Sequence, residues 1–531
     1  RTSGAKFANE LRGAWRRGSL LLDRPYPKIP TLISNDDVAY PGSDALYKLH
    51  NRENNGELSD SLTLLRGRHL ISAGGGLLVR RPDSLFSLGR DGFYLFDDVR
   101  SFAFGNPSRL RISISREARS RLVQPAYDRS YSNRQFFGFA QDTYRATARL
   151  RVTLGVRYES FGSLRNRDMA DPCLRLGAGA TVEQRLRGAD LGPGGGPPRA
   201  PYRADRNNWA GRLGIAWRPL GDRSTTLRAA YGVFYDRPFD NLTQNTRNNS
   251  LLLPSFPIPR ERRQFDYLRS AQEILDEFTY PAENFPELLW LDEGLRTPYV
   301  QSWFAGARQQ LGRRLELEIS HLGALGRKLI ASDVVNRLDS LPRTKENAAG
   351  RLQPDLGDLI FRSNFGSSDY TALGVLARYR SARALLQTSY TLSRSIDNQS
   401  EPLLGDFFNF SYRSDPASRN LAALTRHFDS RADRGHSDFD QRHNLVVLST
   451  WKLPAPGGRG WWRRFTENWS VSQLGGFRSG FPFTVFATFD SASAKETGGG
   501  ELIRNRPDLV PGRTPGLSER RQVRGGVVLL D

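Results

Sequence analysis

The chain has 531 residues, with 77 Lys and Arg against 56 Asp and Glu, a net charge of +21 and a pI near 10.4. Nowhere do about 18 apolar residues run together, which excludes a helical transporter. One cysteine, Cys173, excludes an internal disulfide framework, and 50 Gly with 30 Pro argue against a coiled coil.

Such a length ordinarily suggests about three soluble domains, but a barrel grows as one sheet and breaks that arithmetic. The sequence starts at Arg1, contains one methionine, Met169, shows no signal peptide and ends on VVLLD. It therefore reads as a fragment, with a start of barrel and long loop over 1–55, a barrel region over 56–490, and a loop over 491–531 leading to missing C-terminal strands.

In chain order, strands are predicted near 5–15 and 56–61, then near 62–80, 109–116 and 135–145. Gly74 to Gly76 interrupt the second group and mark a bulge or a close strand approach rather than a phosphate loop. Over 149–159 the alternation is strict: Leu150, Val152, Leu154, Val156 and Tyr158 lie opposite Arg149, Arg151, Thr153, Gly155, Arg157 and Glu159. The segment 209–218 sets Trp209, Leu213, Ile215 and Trp217 against Arg212 and Arg218. Over 225–236, Leu227, Ala229, Tyr231, Val233 and Tyr235 oppose Arg228, Ala230, Gly232 and Asp236, with Phe234 as the exception.

Residues 187–204, running LGPGGGPP at 191–198, are loop. Over 264–279, Tyr267, Leu268, Ala271, Ile274, Leu275 and Phe278 share one helical face and predict a short amphipathic helix within a loop. Strands follow near 299–308, 315–325, 370–379, 384–394, 443–452 and 469–478, for about 14 in all.

Short turns at 146–148, 219–224, 309–314 and 380–383 alternate with connections of about 40 to 60 residues, far above the usual median. Outer-membrane barrels have this asymmetry, with short periplasmic turns and long extracellular loops. The predicted fold class is all-β, an antiparallel transmembrane outer-membrane barrel. Ten residues at about 3.3 Å, tilted about 45°, rise about 23 Å, close to the height of an outer membrane's apolar band. Trp209 and Trp217, eight residues apart, would mark its two edges, while Trp451, Trp461, Trp462 and Trp469 gather at one rim. Arg151 and Arg157 on the lipid side would cost up to about 2 to 4 kcal/mol each, so they face the lumen with Arg212, Arg228, Glu316 and Glu318.

The basic residues are spread along strand faces, not gathered on a helix or interleaved with stacking aromatics, which argues against a nucleic-acid partner. They suit outer-membrane lipid and lipopolysaccharide headgroups. No GxSxG, HExxH or Walker A string is present, so no enzyme and no cofactor is predicted. The segment 427–443 offers His427, Asp429, Asp433, His436, Asp438, Asp440 and His443 as metal ligands. The interleaved Arg426, Arg431, Arg434 and Arg442 favour ion pairs that pin a loop to the rim instead.

FAQDTYR (139–145), LGVRYE (154–159), RLGIAWRPLGD (212–222) and LRAAYGVFYDRP (227–238) resemble the Oar-like TonB-dependent receptor barrel. TPYVQSW (297–303), SYTLSRSIDN (389–398), SDFDQRHN (437–444), SGFPFTV (479–485) and NRPDLV (505–510) continue the likeness in order. The resemblance implies a transporter with 22 strands when complete, closed by an N-terminal plug and driven by the TonB complex. It departs in lacking plug, TonB box and final strands, and it accounts for SDFDQRH without a metal. Uptake of a scarce siderophore, oligosaccharide or peptide is the expected function. An adhesion or surface-assembly protein on the same barrel and a soluble carbohydrate-binding β protein are the rivals.

Overall fold

The alternating segments become one continuous wall in the computed structural model. It describes residues 6–482, apart from 27–28, 37, 43–47, 119–120, 193, 195–196, 221–223, 260–268, 280–287, 339–340, 401–423 and 454–468. Beyond 482 it describes only the short strands Ala487–Thr488, Arg504–Asn505, Leu517–Val523 and Gly526–Leu530.

Thirteen strands form one path through the main sheet. They are β1 (Phe7–Leu22), β2 (Leu49–Arg66), β3 (His69–Phe86), β4 (Asp128–Arg145), β5 (Leu150–Ser160), β6 (Asn208–Trp217) and β7 (Thr225–Tyr235). The path continues through β8 (Tyr299–Leu311), β9 (Leu315–Val335), β10 (Leu359–Arg380), β11 (Ala384–Asp397), β12 (His443–Lys452) and β13 (Ser470–Arg478). Each pairs antiparallel with the next. Among the described residues no ladder joins β1 to β13.

At one end of the wall the strands turn within 67–68, 146–149, 218–224, 312–314, 381–383 and 453–469. At the other they are joined by 23–48, 87–127, 161–207, 236–298, 336–358 and 398–442.

Two predicted strands differ from the observed ones. The segment 62–80 is the end of β2 and the start of β3, because the chain reverses at Gly67, whose φ of 59° suits a tight turn. A two-residue turn sets Arg66 and His69 opposite each other on one face, so the apolar positions change from even numbers (Leu62, Leu64) to odd ones (Ile71, Ala73), an inversion that a single period of two read across 62–80 passes over. The segment 109–116 lies outside the wall altogether. Arg109–Arg111 pairs with Phe93–Phe96 and Ser255–Pro257, and Ile114–Ser115 pairs with Leu251–Leu252. Its alternating Leu110, Ile112 and Ile114 are each 0% exposed, because they face a core made of loops.

The long connections build that core. Tyr94, Phe96, Leu110, Ile112, Ile114, Leu252, Phe256, Ile274 and Leu275 form one cluster, drawn from the β3–β4 and β7–β8 connections. The predicted helix contributes to it: Ala271–Leu275 is helical, capped by the Ser270 hydroxyl accepting from the Glu273 N–H, and its Ile274 and Leu275 are buried. Tyr267 and Leu268 lie outside the described residues. A second cluster joins Leu174, Leu186, Trp290, Val335, Leu352, Leu356, Leu359 and Phe361.

Buried polar hubs fasten these loops. Asn336, at φ 61°, donates its amide to the carbonyls of Gln353, Leu356 and Gly357 and accepts from the Gln353 N–H at 2.7 Å. Asparagine is among the few residues that adopt this backbone conformation readily. Asp333, fully buried, accepts from Arg337 at 2.7 Å and from the N–H groups of Leu424 and Phe428 at 3.0 and 3.1 Å.

The three glycines 74–76 keep an unbroken register with both neighbours, so they form no bulge. They are a close approach: a Cβ on Gly74 would meet the Phe139 ring at 2.9 Å and one on Gly76 the Phe137 ring at 2.8 Å. Phe234, the exception to alternation in β7, lies the same way across Gly232 and carries the Arg212 guanidinium 4.9 Å above its ring. An aromatic side chain is accommodated on a polar face where a glycine leaves room beneath it and a cation covers it.

Candidate ligand site and wall surfaces

Register sorts the side chains of the wall onto two faces. Leu154, Leu213, Tyr231 and Trp303 align across β5 to β8, as do Val152, Ile215, Ala229 and Ala305. On this apolar face Leu154 is 59% and Trp209 61% exposed, values no packed core would give. At its long-loop end an aromatic run crosses three strands: Phe136 to Tyr158 at 5.8 Å and Tyr158 to Trp209 at 4.7 Å between ring centroids. Trp217, Trp451 and Trp469 stand exposed towards the short-turn end, and Trp461 and Trp462 lie outside the described residues.

The opposite face is polar. Arg151 and Arg228 flank Ala216, Arg212 stands between Gly155 and Gly232, and Arg157 pairs with Glu159 at 2.9 Å with its guanidinium 4.3 Å from the Phe137 ring centroid. Glu318 lies opposite Arg308, and Glu316 accepts from Arg308 and, at 3.1 Å, from Arg378. Arg378 also donates to the Gln387 side chain at 3.0 Å, extending the network to β11.

The β7–β8 connection begins by folding back against this polar face. Asp240 takes a two-pronged contact from Arg80 of β3, at 2.8 and 2.6 Å, and Arg80 also reaches Glu53 of β2 at 3.3 Å. Such paired parallel hydrogen bonds fix geometry as well as charge. A short helix (Asn241–Gln244) and a 3-10 turn (Asn245–Ser250) follow. Arg247, buried, donates to the carbonyl of Gln244 and to Ser84, with its guanidinium 5.3 Å from the Phe86 ring centroid. Loss of hydration pushes its guanidinium below the ordinary range. Asn249, 1% exposed, donates to the carbonyls of Pro172 and Leu289 and accepts from the Leu289 N–H at 2.8 Å. None of this was visible in the sequence, where DRPFDNLTQNTRNNS has the composition of an ordinary exposed loop.

Between this segment and the polar face of β1 to β3 lies a cavity of about 660 Å³. Arg16, Asn51, Glu53, Asn55, Glu57 and Arg80 present its wall side, and Asp240, Gln244 and Arg247 its other side. Charges of both signs and several amides give it hydrogen-bonding groups for a polar solute, and Leu20, Leu49, Leu78, Phe86 and Phe239 set apolar surface beside them. A second cavity, about 840 Å³, opens across the loops beside β3 and β4 and includes Cys173, whose thiol burial pushes upward and whose sulfur meets the Arg199 guanidinium.

The residues of the 427–443 segment are dispersed among local partners. His436 Nδ1 meets Asp440 at 2.7 Å, His443 Nδ1 meets the Tyr390 hydroxyl at 2.8 Å, and Asp429 binds Arg431 at 2.8 Å. Asp433 accepts from Thr425, Arg434 reaches Asp369, and the Asp438 N–H donates to the Ser400 hydroxyl. Burial, and then the Arg337 charge, push the His427 imidazole down to about 4, and its Nδ1 has no hydrogen-bond partner among the described residues. Among the described residues no three His, Cys, Asp or Glu side chains gather as a metal site.

A profile of the outer membrane beta barrel domain matches residues 8–526. No curated protein matches the sequence significantly. Among solved structures, the outer membrane transporter YddB from Escherichia coli superposes with a TM-score of 0.50 at 10% identity, over 96% of this chain and 53% of that one. The copper transporter OprC gives 0.43 at 10% identity over 83% and 46%, and the ferric yersiniabactin uptake receptor FyuA from Yersinia pestis 0.37 at 10% over 85% and 45%. The chain thus spans about half the length of these structures.

Proposed function

The chain belongs to the outer membrane beta barrel domain family, and from that membership we propose that it supplies wall and loops of an Oar-like, TonB-dependent receptor for a scarce extracellular solute. In this reading the apolar face meets lipid and the polar face the lumen. The long connections are extracellular and the short turns periplasmic.

The observation that carries the reading is the 660 Å³ cavity between the polar face and the 236–250 segment. It places charged and amide groups where a solute entering from the loops would arrive, and it is roofed by chain that the barrel itself anchors through Arg80 and Asp240. A solute with both polar groups and apolar surface, of the siderophore, oligosaccharide or peptide class, suits this mixed lining. Energy for release would come through TonB acting on a plug, which is the whole receptor's property.

The test compares cells carrying the intact gene with cells lacking it, supplied in turn with ferric chelates, oligosaccharides and peptides as sole limiting nutrient. Growth on one class should require the gene and should fail when a protonophore removes the energy supply. Gene-independent growth on every class, together with lost surface attachment, would replace transport with adhesion.

A further inference from the structure

We propose that Arg81, Arg134 and Arg165 form a site for the phosphate-bearing headgroup of an outer-leaflet glycolipid, at the line where the apolar face of the wall gives way to the loops. The proposal rests on the reading that this face meets lipid.

The register makes the transition abrupt. On β3 the apolar face runs Leu77, Val79, Arg81, and on β4, in the outward direction, Phe136, Arg134, Ser132. Leu77 pairs with Phe136 and Val79 with Arg134, so exposed hydrocarbon changes to guanidinium within two residues, about 6.6 Å of strand. The strand Arg165–Asn166 then pairs with Tyr131 and Ser132 and sets Arg165 beside Ser132 on the same face. The aromatic run from Phe136 through Tyr158 to Trp209 lies just on the membrane side of this cluster. Aromatic residues mark the level of the headgroups in outer-membrane barrels.

The charge at this place is unbalanced. Arg81, Arg134 and Arg165 have no carboxylate partner among the described residues. Of the acids nearby, Asp83 binds Arg167 at 3.1 Å, Asp171 binds Arg129 at 2.9 Å and Asp168 accepts from the Ser130 N–H at 3.0 Å, while Glu293 lines the cavity. Elsewhere on the same rim, Arg327 and Arg434 share Asp369, so an exposed basic cluster is not the general rule of this wall.

The three arginines border the cavity of about 840 Å³, to which Arg199 and Arg203 add further cations. Its inner end is formed by Thr243, Thr246 and Asn249. A planar guanidinium presents two parallel donors to a phosphate, and several around one recess neutralise a multiply charged group that single lysines would hold less specifically. A solute in transit would be met on the polar face, whereas these side chains stand on the face given to lipid. That position selects a headgroup whose acyl chains can lie along Leu77 and Phe136.

The test uses the full chain, folded in zwitterionic detergent and titrated with diphosphorylated lipid A, with dephosphorylated lipid A and with inorganic phosphate. The triple variant Arg81→Gln, Arg134→Gln, Arg165→Gln should bind the phosphorylated lipid roughly 100-fold more weakly, at about fivefold per basic residue. The triple Arg→Lys variant should stay within about tenfold of the original, and dephosphorylated lipid should bind as weakly as the Gln variant does. Heat-modifiable migration of each variant establishes that it is folded. Unchanged affinity in a folded Gln variant, or equal affinity for dephosphorylated lipid, overturns the proposal. Displacement by inorganic phosphate at equal concentration overturns it too, in favour of a soluble anion. A fluorophore at Leu154→Cys, in a Cys173→Ser background in vesicles, separates the two levels. A water-exposed label defeats the face assignment itself, while a lipid-buried label with unchanged headgroup affinity defeats only the arginine site.

Discussion

The membrane wall and the loop layer are held by opposite means. In the wall, Leu154, Trp209 and Ile319 stand exposed and side chains of the two faces share no core, so its apolar surface is stabilised only by what surrounds the protein. In the loop layer, Leu110, Ile112 and Ile274 are sealed against one another, and Asn336, Asn249 and Asp333 spend their polar groups on backbone. On the proposed reading the wall borrows its hydrophobic partner from lipid, and the loops bring their own. Removing lipid should therefore weaken one region and leave the other nearly intact.

The largest expected effect lies in the loops. Asp333→Ala removes the carboxylate that pairs with buried Arg337 and should cost about 3 to 5 kcal/mol, read as a lower urea midpoint for protection of the 336–358 connection from protease. Equal protection would place the strength of that connection in its apolar cluster alone. Leu110→Ala should cost about 2 to 4 kcal/mol by opening a cavity, to the same extent in detergent and in vesicles. A cost that changes with the surrounding lipid would break the contrast between the regions.

In the wall, Leu154→Arg should lose about 2 to 4 kcal/mol of folding free energy in vesicles, while Thr153→Arg, on the opposite face, should fold nearly as well as the original chain. Equal yields of heat-modifiable protein from the two variants would refute the face assignment. The smallest effect concerns pH. His427 is neutral when folded, with its pKa pushed down to about 4 from 6.5. The stability it confers is complete above about 6.5 and declines as pH falls toward 4, by about 1 kcal/mol after allowing for its partial exposure. His427→Gln should flatten the acid limb of loop stability, and an unchanged limb would exclude this imidazole as its cause.

The wall was legible in the sequence because a strand facing two media must alternate, and a period of two survives any register. The same simplicity explains the misreadings. The turn within 62–80 is marked by Gly67 and by the change of apolar positions from Leu62 and Leu64 to Ile71 and Ala73, which a single run of alternation overlooks, and alternation at 109–116 reports a buried side without saying whether lipid or loop covers it. Phe234 broke the pattern for a reason two residues away, Gly232, which periodicity does not register. The cavity was illegible because it depends on pairs such as Arg80 and Asp240, far apart in the chain and joined only by the return of a loop. His427, His436 and His443 looked like one group in sequence, yet His436 and His443 have separate partners and among the described residues no three potential ligands converge.

The turn around Gln244 has two sides. Thr243, Thr246 and Asn249 border the larger cavity, whereas Gln244, Asn245 and Arg247 border the smaller. A single thickness of backbone is thus the partition between two compartments, one opening beside the apolar face and one against the polar face. A displacement of that partition toward one chamber narrows it and widens the other.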